Sequence, residues 1–266
     1  PNPRECGAGL EVLRAAGLQV QSGILEEACQ DLNRAYHVFI AQQRPLVLVK
    51  AAASLDGRMA PASRDARWIS GKPARVYAHR LRALSQAVCV GLGTVLEDDP
   101  ALNVRHVKGR DPAVVVMDSG LAMPFDAKLL RTKRKAPVWV YYCREVHAER
   151  VDALRRAGAT PIRVAAEQGR PAWKAVLADL HGKAVYQLLV EGGAGIIGSL
   201  LSERLVDQVD LVLAPCLLGS EGVPLGRWSG PERVSAAPRL ESLQTRRLGG
   251  DTLFSGKVVW PEGGEV

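Results

Sequence analysis

The sequence predicts an α/β protein with a mostly parallel central sheet, helices on both of its faces and an antiparallel strand at one end. Three observations lead there. From Leu46 onward, apolar runs of strand length recur: LVLVKAA (46–52), AVCVG (87–91), AVVVMDS (113–119), VWVYYC (138–143), PIRVA (161–165), YQLLVE (186–191), VDLVLAP (209–215) and LFSGKVVW (253–260). Helical patterns separate most of them, at 73–84, 147–157, 171–180 and 195–204. Continuous apolar strands belong to sheets covered on both faces, and intervening helices supply parallel crossovers. The final strand has no helix before it, so that end of the sheet is expected to be antiparallel. No period of 20–50 residues marks a repeat array.

Ahead of Leu46 the pattern is helical. LEVLRAAGLQV (10–20) carries apolar residues at helical spacing up to Gly17, after which LQV reads as a short strand. ILEEACQDLNRAYHVFIAQQ (24–43) reads as one amphipathic helix, broken by Arg44-Pro45. The opening PNPRECG has no Met, which suggests a processed or truncated chain.

Composition narrows the function classes. The 266 residues are 47% apolar, enough for one large or two modest domains with a real core. Lys and Arg outnumber Asp and Glu by 35 to 28, but the basic residues are dispersed and aromatics make up only 5%. A nucleic-acid platform would interleave aromatics with charge, so this modest excess suits phosphorylated metabolites better. Cys6, Cys29, Cys89, Cys143 and Cys216 form no C-x-x-C, which reads as a reduced, cytoplasmic protein. No apolar run reaches membrane-spanning length.

Chemistry-bearing motifs gather at predicted strand ends. In YQLLVEGGAGIIGSLLSERL (186–205), Gly193, Gly195 and Gly198 fit G-x-G-x-x-G ahead of a helix. A dinucleotide site of Rossmann type also wants an acidic residue at the end of the next strand. Here that strand ends in Ala214-Pro215, which disfavours the Rossmann reading and leaves a phosphate cradle or a capping turn. Glu191, at the carboxyl end of its strand, tips the balance toward a ligand site. Lys50 stands inside an apolar strand, so it either snorkels at an edge or faces a ligand. VGLGTVLEDDPALNVR (90–105) places Thr94, Asp98 and Arg105 after one strand, with DDP reading as a turn. Trp68 and Arg82 lie in RWIS (67–70) and HRLRA (79–83), although a lone helical Arg is more often solvated. RTKRKAP (131–137) reads as a solvated loop. One decoy is present: His147 to Glu149 gives H-x-E and Pro215-Cys216 gives P-C, but Gly219 occupies the second Cys position, so no metal site is expected.

In this order, VKAAASLDGRMA, RWISG, HRLRA, VGLGTVLEDDPALNVR, VVVMDS, LLVEGGAGIIGSLL and VDLVLAPCLLG resemble the reductase domain of the bacterial bifunctional riboflavin-biosynthesis deaminase/reductase family. The resemblance spans about residues 44 to 260 and implies a dihydrofolate-reductase-like fold. Residues 1–43 are similar to the C-terminal end of that family's deaminase domain, without its zinc motifs, which implies domains 1–43 and 44–266. The implied reaction is hydride transfer from NADPH to C1′ of the open-chain sugar of 5-amino-6-(5-phosphoribosylamino)uracil. The implied cofactor contacts are Ala52, Trp68, Ser70, Thr94, Asp98, Ser119 and the loop Gly193, Ala194, Gly195, Ile196, Ile197, Gly198, Ser199. The implied substrate contacts are Arg82, Leu102, Arg105 and Glu191, with the two arginines suited to the 5′-phosphate and Glu191 to ribose hydroxyls. Lys50 is the candidate catalytic residue. The 2′-phosphate of NADPH could fall to Arg67, Lys72 or Arg75. Ala66 departs from the Ser that the family places two residues before Trp68, which bears on fine substrate specificity. A homodimer is implied, with no nucleic-acid or membrane partner. The alternatives are a reductase acting on the non-deaminated diaminopyrimidinone and a non-catalytic nucleotide-binding module.

Overall fold

The computed structural model describes residues 7–63 and 68–261. Three short helices come first: α1 (Ala8–Ala15), α2 (Glu26–Leu32) and α3 (Arg34–Gln42). They are followed by β1 (Leu46–Ser54), β2 (Arg58–Ala60), α4 (Lys72–Leu84), β3 (Ala87–Gly91), α5 (Leu92–Asp98), β4 (Ala113–Met117), α6 (Lys128–Arg131), β5 (Val138–Tyr142), α7 (Ala148–Arg156) and β6 (Thr160–Arg163). Then come β7 (Ala166–Glu167), β8 (Arg170–Pro171), α8 (Trp173–Gly182), β9 (Gln187–Val190), α9 (Ala194–Ser202), β10 (Gln208–Ala214), β11 (Val223–Pro224), β12 (Arg239–Leu248) and β13 (Asp251–Val259).

Nine strands form the main sheet in the order β12-β13-β10-β1-β9-β3-β4-β5-β6. The seven from β10 to β6 are parallel, and β13 and β12 add antiparallel to the β10 edge. This is the expected architecture, including its antiparallel end. Alternation along the strands divides the core into two layers. Leu46 and Leu48 of β1 join Val88, Val90, Val114 and Val116 beneath α4 to α7, through Leu81, Val95, Leu129 and Leu154. Val47, Val49 and Ala51 face the other way, onto Trp173, Val176, Leu177 and Leu180 of α8 and Ile197 and Leu200 of α9. The central strands β1, β3, β4, β5 and β9 are therefore apolar on both sides over most of their length, which is why they read as runs.

The consequential feature is where β9 goes. It follows β6 in sequence but lies between β1 and β3. Its successor α9 thus starts beside the end of β3, where α5 also begins. Such reversals of strand order open ligand crevices at the carboxyl ends of strands.

Three local expectations are corrected. Residues 18–20 form no strand and are largely exposed. The single helix expected over 24–43 is two helices, broken where Asn33 leaves helical geometry at φ −100, ψ 15. The break turns α3 onto the sheet, where Phe39 stacks on His181 and Tyr186 and Arg34 donates to the Asp207 carbonyl at 2.6 Å. Arg44 closes the junction with a two-pronged pair to the Asp207 carboxylate at 2.6 and 2.8 Å. The strand β12 was not foreseen, because RLESLQTRRL is exposed along almost its whole length and carries no apolar run. Among the described residues no helix is long and apolar enough to cross a membrane.

Gly198 holds α9 in place by lacking a side chain. A Cβ there would stand 2.5 Å from the Arg227 carbonyl carbon, while one at Gly195 meets nothing within 4 Å. Gly198→Ala is therefore expected to lose roughly 1–3 kcal/mol in urea unfolding. Gly195→Ala should leave stability unchanged or slightly raised, since Ala is the better helix former.

Candidate active site

A single face of α4 overhangs the carboxyl ends of β1 and β9. Arg75, Ala78, His79 and Arg82 recur at helical spacing and line a cavity of about 440 Å³ together with Lys50, Trp68, Ser70, Arg105, His106 and Glu191. The neighbouring stripe of the same helix, Ala74, Tyr77 and Leu81, packs inward. The sheet side is fixed by register. Lys50 follows Leu46 and Leu48 on the face toward α4, and Val49 pairs with Val190, so Glu191 emerges from β9 beside Lys50. The Glu191 N–H continues the ladder by donating to the Cys89 carbonyl at 3.0 Å.

Glu191 and Arg82 form a forked pair: Nε to Oε1 at 2.7 Å and Nη2 to Oε2 at 2.6 Å, with the side chains only 13% and 12% exposed. Arg82 Nη1 also donates to the Asn103 carbonyl at 3.1 Å. Burial alone would raise the Glu191 carboxyl, but the charge and fork of Arg82, helped by Lys50 and His79, hold it below its ordinary value. Lys50 is lowered too, but by a different cause. Burial lowers its ammonium most; Glu191 opposes that loss, Arg82 adds to it, and Asp210 and Asp251 oppose it, with a net lowering.

His79 was not singled out for the site, yet it lies at the heart of the cavity, 4% exposed. Its Nδ1 accepts the Arg105 N–H at 3.1 Å, and its ring meets His106 edge to face at 4.5 Å. Burial, then Arg82, His106 and Arg105, push it down to about 4, so it works as a neutral acceptor. The helical stripe from Arg75 to Arg82 was the available signal. Trp68 carries the Arg75 guanidinium over its ring at 4.2 Å.

The expected cofactor side divides. Gly193, in extended geometry before α9, lies 3.8 Å from the Thr94 Oγ1 as measured from where its Cβ would be, and Gly195 opens onto free space. Ile196 fills the room left by Gly91 and Gly192. The rest of the loop turns inward. Ala194 is buried and its carbonyl accepts from Arg227, and Ile197 belongs to the core. Gly198 packs on Arg227, and the Ser199 hydroxyl accepts the Trp173 indole N–H at 2.9 Å. Ala52 packs near Ala74, Val212 and Leu253. Asp98 closes α5, and Ser119 follows β4, its carbonyl accepting from Cys143 and Arg144. Leu102 adopts φ 48 with its side chain in the core, so any ligand there meets its backbone. Arg67 and Ala66 lie outside the described residues.

Two motif readings change. Arg82, expected at a phosphate, spends its fork on Glu191, leaving the exposed Arg105 as the freer guanidinium. RTKRKAP is not wholly solvated: Arg134 folds back onto the Ala101 carbonyl, and its half-buried charge lies near Asp111 and Arg82. Asp99, the left-handed C-cap of α5, reaches instead to a distant helix, accepting the N–H of Lys128, the first residue of α6, at 2.6 Å. Among the described residues no cluster of three or more His, Cys, Asp or Glu is arranged to hold a metal.

The chain matches the RibD C-terminal domain family over residues 45–254. It belongs to that family. It is 34% identical over 255 residues to the riboflavin biosynthesis protein RibD of Aquifex aeolicus (strain VF5), an alignment that spans 96% of this chain and 69% of that protein. It superposes on the RibD of Acinetobacter baumannii with a TM-score of 0.83 at 30% identity, over 97% of this chain and 70% of that one. A diaminohydroxyphosphoribosylaminopyrimidine deaminase/5-amino-6-(5-phosphoribosylamino)uracil reductase from Thermotoga maritima gives a TM-score of 0.80 at 26% identity, over 97% and 69% of the two chains.

Two outcomes follow for this RibD-family site. Arg82→Met should cost about 3–5 kcal/mol at neutral pH, because it strands a buried carboxylate. The deficit should already shrink as the pH falls toward 4.5, the ordinary carboxyl value, because without Arg82 burial raises the Glu191 carboxyl and the folded variant takes up the proton first. His79 is held down in the folded state, so the unfolded chain binds its proton first, and stability is lost as pH falls from 6.5 toward 4. Urea titrations should show that this slope flattens in His79→Gln.

Proposed function

We propose that the cavity between α4 and the ends of β1 and β9 is the reaction centre of a pyrimidine reductase of riboflavin biosynthesis, and that NADPH is its reductant. The chain is a reductase of the RibD family. The observation that carries the placement is the convergence of Lys50, Glu191 and Arg82 in one buried cluster that opens into the cavity.

The residues fit a nicotinamide dinucleotide. Gly193 and Gly195 leave open backbone at the N-terminus of α9, where a helix offers free N–H groups to a pyrophosphate. Thr94 adds a hydroxyl beside them. Ala52 is small enough to leave room beside β1 for a flat ring. Arg75, stacked on Trp68, and Lys72 at the start of α4 are the candidates for the 2′-phosphate among the described residues. Bound reduced nicotinamide supplies a hydride.

The chain's own groups supply the rest. Arg105, exposed at the cavity mouth and held through its N–H by His79, takes the 5′-phosphate. Glu191, aimed by Arg82, accepts hydrogen bonds from ribose hydroxyls. Lys50 faces the open-chain C1′ and steadies the proton that the attached nitrogen gains as C1′ gains hydride. The product is the ribitylamino form. The deaminated uracil is the proposed substrate, residues 1–43 a deaminase-domain remnant, and a cytoplasmic homodimer the working form. The resemblance of the chain to deaminase/reductase fusions supports these assignments.

Lys50→Met should lower kcat by roughly 10²–10⁴-fold while leaving NADPH affinity within a few-fold. Steady-state assays with both the deaminated and the non-deaminated compound, paired with NADPH titration by fluorescence, check this. Undiminished turnover would remove Lys50 from the chemistry, and a preference for the non-deaminated compound would reassign the substrate.

A further inference from the structure

Lys50 lies in a row of polar side chains crossing four strands on one face of the sheet. Glu191 flanks it on the β9 side; on the β10 side its ladder partner is Asp210, whose own partner on β13 is Ser255. Ladder partners in a sheet project the same way, about 4.8 Å apart. We infer that Asp210 is a positioning residue for the reaction, the fixed counter-charge that keeps the Lys50 ammonium charged and in place. This rests on the role proposed above for Lys50.

Asp210 is 1% exposed and lies on a strand whose alternate residues are core. A buried carboxylate is costly unless every lone pair is served. Here the Tyr77 hydroxyl donates to Oδ2 at 2.5 Å, and the Ser255 hydroxyl and the Gln208 amide donate to Oδ1 at 2.6 and 3.2 Å. These donors come from α4, β13 and β10, so the carboxylate is held from three elements. All three are neutral, so none cancels its charge. Glu191 differs, because its charge is matched by Arg82 in a forked pair. Toward Lys50, Glu191 is the largest charge favouring the ammonium, and its partner Arg82 opposes it. The remaining carboxylates that favour the ammonium are Asp210 and then Asp251, which accepts the Gly71 N–H at 2.8 Å. Other titratable or charged groups around Lys50 are His79, held neutral, with Arg75, Arg105 and His106 lining the same cavity, and Arg246, stacked on Tyr77 at 5.0 Å. Asp210 is thus the carboxylate set directly opposite Lys50 across the β1–β10 ladder, and removing it takes that fixed charge away from the ammonium.

The test reads Lys50 directly. Lys50 lines the cavity, so a small acylating reagent such as acetic anhydride reaches it, and mass spectrometry across pH gives its protonation midpoint. In Asp210→Asn, which keeps the shape and one acceptor oxygen, the midpoint should fall by roughly one pH unit. The basic limb of kcat/KM should move down by the same amount, with NADPH affinity unchanged. An unmoved or raised midpoint in a folded Asp210→Asn protein overturns the inference. A midpoint that falls while the rate profile stays put upholds Asp210 as the counter-charge and instead sinks the proposed role of Lys50. Should Asp210→Asn not fold, the combination Tyr77→Phe, Ser255→Ala and Asp210→Leu removes the carboxylate together with its two nearest donors, leaving neither unpaired, and is judged by the same midpoint.

Discussion

Keeping a carboxylate charged inside the protein is the constraint on which the cavity end of this sheet depends. Glu191 is nearly buried, and burial works against its charge. The fork of Arg82 offsets that cost, and because Arg82 also holds the Asn103 carbonyl, the pair ties β9, α4 and the segment leading to Arg105 together. Replacing such a pair with apolar residues could be neutral for stability. Its retention here makes sense as function: a carboxylate with fixed orientation, next to a lysine whose ammonium feels both it and Asp210.

The backbone makes that cluster available. Placing β9 between β1 and β3 sets Glu191 beside Lys50 and starts α9 next to the end of β3. Close approach is needed there. Side chains at Gly91 and Gly192 would strike Ile196, and one at Gly198 would strike Arg227. Glycines in this stretch thus do two jobs, three letting elements touch and others leaving helix N–H groups uncovered. The charge cluster and the open backbone end up as neighbours because one strand and the helix after it carry both Glu191 and Gly195.

Much of this was readable in the sequence. The parallel strands announce themselves as runs because both faces are covered, and the final strand lacks the helix that a parallel crossover needs. Lys50 and Glu191 stand out because charge is rare in or at the end of such runs. What stayed hidden depends on contacts distant in sequence. Arg82 and Glu191 are 109 positions apart, and nothing local pairs them. His79 looked ordinary because its significance is the Arg105 N–H it accepts. Asp210 within VDLVLAP shows only as a polar interruption, since its donors come from α4 and β13. The exposed strand β12 carries no apolar period to betray it, and Arg134 looked solvated because its partner, the Ala101 carbonyl, is set by folding.

The most direct measurement follows the transferred hydrogen. NADPH carrying deuterium at the reactive C4 position would be given to the purified chain with 5-amino-6-(5-phosphoribosylamino)uracil in a single turnover, and the product examined by mass spectrometry and NMR. One deuterium at C1′ of a ribitylamino product, formed by the native chain and strongly slowed in Lys50→Met, is the outcome expected of a reductase centred on Lys50 and Glu191. A reduced product without deuterium at C1′, or no reduced product while NADPH is bound, would contradict it.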